Sequence, residues 1–220
     1  MPHHVKPASR RNAQGASPTL TFFRQWLKNP LKVAALSPSS RQLARLMVRE
    51  LPRGAQRVIE LGGGTGVFTQ AMLDHGIAPA HLMVLELNVE LHQFLQNRFP
   101  DAKVICGDAR ELSDIVAKNQ FAENAEVDAV ISGLGLLSMS RQLQRDILEA
   151  AFSVMPPEGR FIQFTYGPVS PVSRELLDDL GLAVRRGGFA WWNMPPASVF
   201  VFQKTRSRPI RPVRANGAGR

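Results

Sequence analysis

A glycine-rich run with an acid at its start could form a binding turn for a nucleoside ligand. The run consists of Glu60, Leu61, Gly62, Gly63, Gly64, Thr65 and Gly66. It follows an apolar stretch, residues 57–61, that predicts a buried strand, and it precedes a predicted helix at 67–75. Glycines allow a tight turn and close approach of a ligand to the main chain. Their alternation differs from the G-x-G-x-x-G spacing of dinucleotide folds, and Glu60 could meet a positively charged amino-acid group.

Further polar residues follow the next predicted strands. Glu86 lies near the end of a predicted strand at 81–87, 20 residues after Gly66, where a carboxylate can accept hydrogen bonds from a ribose diol. Asp108 and Ala109 follow a predicted strand at 103–106. Ser132 and Gly133 close a predicted strand at 127–132. Ligands of doubly wound sheets bind at the carboxyl ends of the strands, so these residues are expected to share one site.

The elements that position these residues alternate regularly between strand and helix. Three further strands are predicted at 160–165, 182–186 and 198–204, and helices are predicted at 89–99, 111–118 and 141–154. Repeated βα units predict an α/β fold: a doubly wound, mainly parallel, seven-stranded sheet with helices on both faces. No long helix separates the last two strands, which therefore predict an antiparallel hairpin at one edge.

The sequence predicts one catalytic domain with appended segments. The 220 residues, 44% of them hydrophobic, suffice for a full core. We expect residues 1–18 and 205–220 to be disordered basic tails, residues 19–51 to form N-terminal helices that cap the substrate or membrane side, and residues 52–204 to form the catalytic domain. A single cysteine excludes an internal disulfide framework and fits a reducing compartment.

Positive charge is concentrated at the two ends of the chain. Residues 1–57 hold eleven Lys and Arg against one acid, residues 58–203 hold ten against seventeen acids, and residues 204–220 hold six against none. Basic ends indicate a polyanionic partner, either nucleic acid or an anionic membrane surface.

The run from Glu60 to Gly66 closely resembles the E-x-G-x-G-x-G signature of class I S-adenosylmethionine-dependent methyltransferases. The resemblance covers about residues 57–166. It implies S-adenosylmethionine as cofactor and S-adenosylhomocysteine as product, with Asp108 and Ala109 near the adenine. It also implies that the methyl group is delivered beside Ser132 and Gly133.

The residues after the fourth strand bear on the methyl acceptor. Methyltransferases of nucleic-acid bases often carry Asn-Pro-Pro-Tyr at this point, where the Tyr stacks on the base. This chain has Ser-Gly-Leu-Gly-Leu-Leu at 132–137, without an Asn or an aromatic ring. An apolar wall fits acyl chains better than an extruded base, so an RNA adenine methyltransferase is the second hypothesis.

Several segments resemble bacterial phospholipid N-methyltransferases, the soluble type that converts phosphatidylethanolamine towards phosphatidylcholine. The resemblance covers about residues 22–203. Its marks are the N-terminal segment 23–40, the residues 132–137, Gln-Phe-Thr-Tyr-Gly at 163–167, and Trp-Asn-x-Pro-Pro at 192–196. Gly135 and the middle glycine, Gly63, stand where the family often has proline. An ornithine-lipid N-methyltransferase is a related alternative.

Candidate acceptor and membrane residues follow from this resemblance and from side-chain chemistry. Tyr166 is the candidate catalytic residue that orients or deprotonates the amine. Trp191, Trp192 and Tyr166 could hold the cationic product by cation–π contact. Asn193 belongs to the same substrate segment, and Lys32 could contact a lipid phosphate. A predicted amphipathic helix at 20–28 could bind the membrane surface through Phe22, Phe23, Trp26, Leu27 and Lys28.

The expected location is the cytoplasm, with peripheral attachment to the inner face of the cell membrane. No stretch approaches the roughly 20 apolar residues of a spanning helix, and residues 1–18 lack the apolar segment of a secretory signal. We see no metal-ligand cluster, and nucleic acid is the less favoured partner. A membrane-binding protein that kept the cofactor fold without catalysis is a third hypothesis. The sequence leaves the oligomeric state open.

Overall fold

The computed structural model describes residues 38–122, 126–191 and 195–205. Its strands are β1 (Val58–Leu61), β2 (Leu82–Glu86), β3 (Lys103–Cys106), β4 (Ala129–Ser132), β5 (Arg160–Tyr166), β6 (Leu182–Ala190) and β7 (Ala197–Lys204). Its helices are α1 (Pro38–Val48), α2 (Val67–Asp74), α3 (Val89–Arg98), α4 (Leu112–Lys118), α5 (Arg141–Ser153) and α6 (Arg174–Asp179). Short 3₁₀ turns occur at Pro79–His81, Ala109–Glu111 and Leu136–Ser138.

The seven strands form one sheet in the order β3-β2-β1-β4-β5-β7-β6. Neighbouring strands from β3 to β5 are parallel, while β7 is antiparallel to both β5 and β6. The predicted doubly wound sheet with an antiparallel edge pair is therefore confirmed. The chain builds outwards from β1 to β3 and then returns to the other side of β1 with β4. The carboxyl ends of β1 and β4 thus meet at the switch point, where such sheets bind ligands.

Each face of the sheet carries its own hydrophobic core. Helices α4, α5 and α6 cover one face through Leu112, Ile147 and Leu176, each at most 2% exposed. Helices α1, α2 and α3 cover the other face through buried side chains that include Met47 and Met72. Because both faces are covered, β1, β2 and β4 are apolar along their whole length, apart from polar residues at the site.

Side-chain caps begin three of the helices. Asn88 Oδ1 accepts a hydrogen bond from Leu91 N at the start of α3, and Ser140 Oγ does the same for Leu143 N before α5. Ser173 caps α6 through Leu176 N, 3.3 Å away. The sequence analysis missed α6, because its six residues are too few to display a helical period.

The observed elements differ from the predicted ones mainly in length. Strand β6 continues to Ala190 instead of ending at residue 186, with a register irregularity between Arg186 and Gly188. Residues 1–37, including the predicted helix at 20–28, and residues 206–220 lie outside the described part. None of the described helices has the length and apolar character needed to cross a bilayer.

Candidate cofactor and methyl-acceptor site

The turn after β1 depends on its glycines. Gly62 and Gly66 have φ values of 74° and 77°, a left-handed conformation that residues with a Cβ rarely adopt. At Gly63 the limit is space: a Cβ would lie 2.8 Å from Leu95 Cδ1 and would also collide with Val84. Bacterial phospholipid N-methyltransferases often have proline at this position. Here the bulky side chains of β2 and α3 leave no space for a Cβ, so the position is a glycine.

Glu60 is completely buried beneath this turn. Its Oε2 accepts a hydrogen bond from Thr69 Oγ1 at 2.5 Å, whereas its Oε1 has no partner among the described residues. The pKa of Glu60 is raised to about 8, chiefly by burial; the Thr69 hydrogen bond lowers this pKa and the charge of Glu86 raises it, and both effects are included in that value. A buried acceptor without a donor is costly, so Glu60 is prepared for a ligand cation.

Glu86 joins the end of β2 to the glycine turn. Its Oε2 accepts a hydrogen bond from Gly64 N at 2.8 Å, and its Oε1 accepts one from Asn88 N at 2.9 Å. A carboxylate offers about four acceptor positions, so two bonds leave capacity for a diol. The structure therefore brings Glu86 and Glu60 together at the glycine turn, and their shared role in cofactor binding stays a prediction.

Asp108 takes part in a turn of its own. It accepts hydrogen bonds from Arg110 N at 2.9 Å and from Arg110 Nη2 at 2.7 Å, and these contacts hold its pKa below the ordinary value. Ala109 begins the 3₁₀ turn that follows. The structure therefore shows Asp108 forming a turn, and its predicted role beside the adenine stays a prediction.

The segment after β4 packs directly on the glycine turn. Gly133 N donates to Leu61 O at 2.8 Å, and a Cβ on Gly133 would lie 2.7 Å from Gly62 O. The Leu134 side chain covers Gly62, since its Cδ2 lies 2.8 Å from the position of a Cβ there. Buried Ser132 accepts a hydrogen bond from Leu134 N through its Oγ. Ser132 and Gly133 thus lie beside the turn, as predicted.

Gln163 is a site residue that the sequence analysis did not select. It is fully buried on β5, opposite Ser132 in the register. Its Nε2 donates to Leu134 O at 2.8 Å and to Phe164 O at 2.6 Å, and its Oε1 has no partner among the described residues. The available signal was a lone amide within the apolar strand 160–165, because a buried polar side chain requires specific partners.

An aromatic row connects the glycine turn to Tyr166. The ring centroid of Phe68, in the first turn of α2, lies 5.7 Å from that of Phe164, which in turn lies 5.4 Å from that of Tyr166. Burial raises the pKa of the Tyr166 hydroxyl. The phenol is therefore neutral near pH 7. A neutral phenol can orient a substrate amine by hydrogen bonding, but it is a poor base for removing a proton from an ammonium group.

The remaining predicted acceptor residues are only partly described. Trp191 is 75% exposed, and its ring centroid lies 4.5 Å from that of Phe189. Lys32, Trp192 and Asn193 lie outside the described residues, as do the predicted membrane residues Phe22, Phe23, Trp26, Leu27 and Lys28. Within the described ranges, no three side chains of the metal-ligating types come together.

Comparison with known proteins identifies similar chains. The family model described as a methyltransferase domain matches residues 58–159. An ornithine lipid N-methyltransferase from Singulisphaera acidiphila is 31% identical over 185 residues, covering 81% of this chain and 92% of that protein.

Solved structures share the fold at low sequence identity. A TehB-like methyltransferase from Corynebacterium glutamicum superposes with a TM-score of 0.55 at 17% identity, covering 85% of this chain and 98% of the other. A magnesium protoporphyrin IX methyltransferase from Synechocystis with bound S-adenosylmethionine has a TM-score of 0.58 at 12% identity, covering 88% of this chain and all of the other.

The residues at the strand ends fit S-adenosylmethionine, which is the cofactor. The unpartnered, buried Oε1 of Glu60 matches a ligand ammonium group, and the two half-used oxygens of Glu86 match vicinal hydroxyls. The loop after β4 packs so closely on the glycine turn that a Cβ on Gly133 would lie 2.7 Å from Gly62 O, which requires glycine at position 133.

Proposed function

The chain belongs to the S-adenosylmethionine-dependent methyltransferases, and we propose that it methylates the primary amine of a membrane lipid. The similarity to an ornithine lipid N-methyltransferase along most of both chains is the observation that carries this proposal. Phosphatidylethanolamine and ornithine lipid are the two candidate substrates. Both offer a flexible primary amine next to an acyl region.

The cofactor-binding roles are assigned from the geometry of the strand ends. The cofactor supplies an electrophilic methyl group on a sulfonium. We assign its amino-acid end to Glu60 and the glycines Gly62, Gly63, Gly64 and Gly66, and its ribose to Glu86. Asp108 and Ala109 lie after β3, in position for the base, and Ser132 and Gly133 border the point of transfer.

The acceptor side is apolar, which favours a lipid over a nucleobase. Leu134 covers the glycine turn, Leu136 is buried, and Leu137 is exposed beside them. No aromatic ring lies among residues 132–138 to stack on a base. An acyl chain or a glycerol backbone can pack against such side chains without leaving polar groups unpaired.

Chemistry at the amine requires an uncharged nitrogen lone pair. An ammonium group must first lose a proton to solvent, and the neutral amine must then be aligned with the methyl group. We assign Tyr166 to this alignment, because its hydroxyl oxygen can accept a hydrogen bond from an amine N–H and so leaves the nitrogen lone pair free to attack the methyl group. Its ring can face the cationic product, together with Trp192 and Asn193.

The membrane is proposed as the partner surface. The segment before α1 contains the hydrophobic and basic residues Phe22, Phe23, Trp26, Leu27 and Lys28, and we assign Lys32, which follows in the sequence, to a lipid phosphate. Residues 1–37 hold six Lys and Arg and no acid. Such a segment matches an anionic bilayer surface.

The deciding experiment is incubation of the protein with labelled cofactor and vesicles, followed by separation of the lipids. Separate reactions contain phosphatidylethanolamine, ornithine lipid or RNA. We expect label in an amine lipid and none in RNA. Glu86→Ala serves as the matched control. Its weaker cofactor binding should reduce the labelling, whereas labelling by a contaminating enzyme would be the same in both preparations. Label confined to RNA would overturn the proposal.

A further inference from the structure

Exposed large apolar side chains gather at the carboxyl edge of the sheet. Leu137 after β4 is 55% exposed, Val169 after β5 is 73% exposed, and Trp191 after β6 is 75% exposed. Leu87 and Val89, also exposed, follow β2 at the same edge. Single exposed apolar residues are ordinary on protein surfaces, but several around the mouth of one site indicate a contact surface.

Two of these residues lie on loops that are hydrogen-bonded through a common side chain, and the third follows a strand that is bonded to one of those loops. We call Leu137, Val169 and Trp191 the apolar rim. Gln144 Nε2 donates to Leu136 O at 2.7 Å and lies 3.4 Å from Pro171 O, which links the loops after β4 and β5. Arg186 donates to Pro168 O, which links the loop after β5 to β6.

The hairpin places Trp191 at the same edge as Tyr166. Ala197 on β7 pairs with Tyr166 on one side and with Ala190 on the other. Trp191 follows Ala190 directly, so the apolar rim borders the acceptor half of the site.

The direction of α1 shows where the basic N-terminal segment leaves the domain. Glu50 Oε2 accepts from Arg185 Nη2 at 2.6 Å, and Glu50 O accepts from Arg160 at the start of β5. Further along β6, Gly188 lies against Leu46. Helix α1 therefore runs opposite to β6, and its first residue, Pro38, points to the carboxyl edge. The six basic residues of 1–37 join the domain on the side of the apolar rim.

We propose that the apolar rim is a second membrane-docking surface. Its side chains insert into the interface between headgroups and acyl chains of an anionic bilayer. This inference rests on the proposed function and adds a contact made by the catalytic domain itself. Tryptophan is enriched at the membrane–water boundary, and Arg186 beside the rim matches anionic headgroups. With the rim against the bilayer, the mouth at Tyr166 faces the headgroups, so a lipid amine enters without leaving the membrane.

The test compares a triple variant, Leu137→Ser/Val169→Ser/Trp191→Ser, with a matched control, Phe94→Ser/Val184→Ser. The control residues are also exposed apolar side chains, each at 37%, but lie on α3 and in the middle of β6. Both variants are made in the full chain. Sedimentation uses vesicles of equal parts phosphatidylglycerol and phosphatidylethanolamine. We expect the triple variant to bind about tenfold more weakly or worse, and the control to bind as the unmodified protein does.

High salt separates the apolar contact from the charge of the N-terminal segment. At about 1 M salt the screening length falls to about 3 Å, so the binding that persists should come from apolar contacts, those of the rim and those proposed for the N-terminal segment. We expect the unmodified protein and the control to keep a larger salt-resistant bound fraction than the triple variant. A single Val169→Asp variant, which places a charge where the apolar contact was, should also lose vesicle binding. Its melting temperature should be unchanged, which would show that the loss is not caused by unfolding.

The proposal is overturned if the triple variant sediments as well as the unmodified protein, or if the control loses binding equally. Failure of the proposed function gives a different result. In that case the unmodified protein methylates no lipid amine, whatever its vesicle binding. A water-soluble short-chain amine lipid below its micelle concentration should be methylated equally by the Val169→Asp variant and the unmodified protein, because Val169 has no assigned role in the acceptor site.

Discussion

The Oε2 atom of Glu86 accepts a hydrogen bond from the backbone N–H of Gly64, 2.8 Å away, so the end of β2 holds the turn that follows β1. One carboxylate therefore shapes the glycine turn, and in the proposed site its remaining acceptor positions bind the ribose. Because both roles depend on the same two oxygens, we expect the loss of Glu86 to affect cofactor affinity more than turnover at saturating cofactor.

Glu86→Ala should weaken cofactor binding by about 1–3 kcal/mol, since the ribose hydroxyls lose a charged acceptor. Glu86→Gln keeps one oxygen and should lose less. Titration calorimetry with S-adenosylhomocysteine measures both. Equal affinity in the unmodified protein and Glu86→Ala would show that Glu86 does not bind the cofactor.

Cofactor affinity should depend on pH through Glu60. Free Glu60 has a pKa of about 8, and an ammonium group beside its Oε1 would lower that pKa. The complex then binds fewer protons than the free protein, so affinity should rise with pH and level off above about pH 8. Calorimetry in buffers of different ionisation enthalpy should show proton release near pH 7. Glu60→Gln should bind weakly and without proton release.

The same carboxyl should make the free protein less stable as pH rises. Its folded pKa lies above the ordinary value of 4.5, so its contribution is present below pH 4.5 and is lost as pH rises to about 8. Within this window each pH unit costs at most about 1.4 kcal/mol. Denaturant titrations of unmodified protein and Glu60→Gln should diverge with rising pH. Parallel curves would contradict the buried, protonated state of Glu60.

Tyr166→Phe should lower turnover about tenfold or more while cofactor affinity stays nearly unchanged, because only the hydroxyl that contacts the amine is lost. The rising limb of the pH–rate profile should persist in the variant, since it reflects the amine and not the phenol. Steady-state kinetics at saturating lipid measures this. Unchanged turnover would leave Tyr166 with a packing role only.

Gln163→Met should lower turnover about tenfold to a hundredfold, because the Leu134 carbonyl loses its side-chain donor and the loop shifts at the point of transfer. Cofactor affinity should change little, since Glu60 and Glu86 are untouched. Single-turnover rates compared with cofactor affinity test this. A variant with normal turnover and reduced melting temperature would show that Gln163 only stabilises the core.

The cofactor side of the site was predictable because local sequence determines it. The turn at 62–66, Glu60 before it and Glu86 at the next strand end occupy fixed positions in a βαβ unit, so residue type and spacing predict their meeting. The contact between Glu86 and Gly64 follows from the parallel register of β1 and β2. The fold followed from the same repeated pattern.

The unpredicted features depend on contacts between distant parts of the chain. In the sequence, Gln163 stands out only as a lone amide in an apolar strand; its partner is known only once β5 pairs with β4 and brings the amide to Leu134. Position 187 of β6 is a glycine because the side chain of Glu50, in the turn after α1, occupies the space where a Cβ would lie. Neither contact leaves a mark in local periodicity, because the partners lie 29 and 137 residues apart in the sequence.

The position of β7 between β5 and β6 constrains the order in which a nascent chain can be completed. Strand β6 has no strand partner in the described sheet except β7, and α1 and the turn after it pack on β6 through Leu46 and Glu50. Residues 197–204 must therefore leave the ribosome before β6 can join the sheet and before α1 can complete its contacts with β6. Helix α1 is synthesised before every strand but completes its packing last. In a chain that stalls before β7 is synthesised, the glycine turn at 62–66 should form, whereas the apolar rim at the end of β6 should not be ordered for contact with a bilayer.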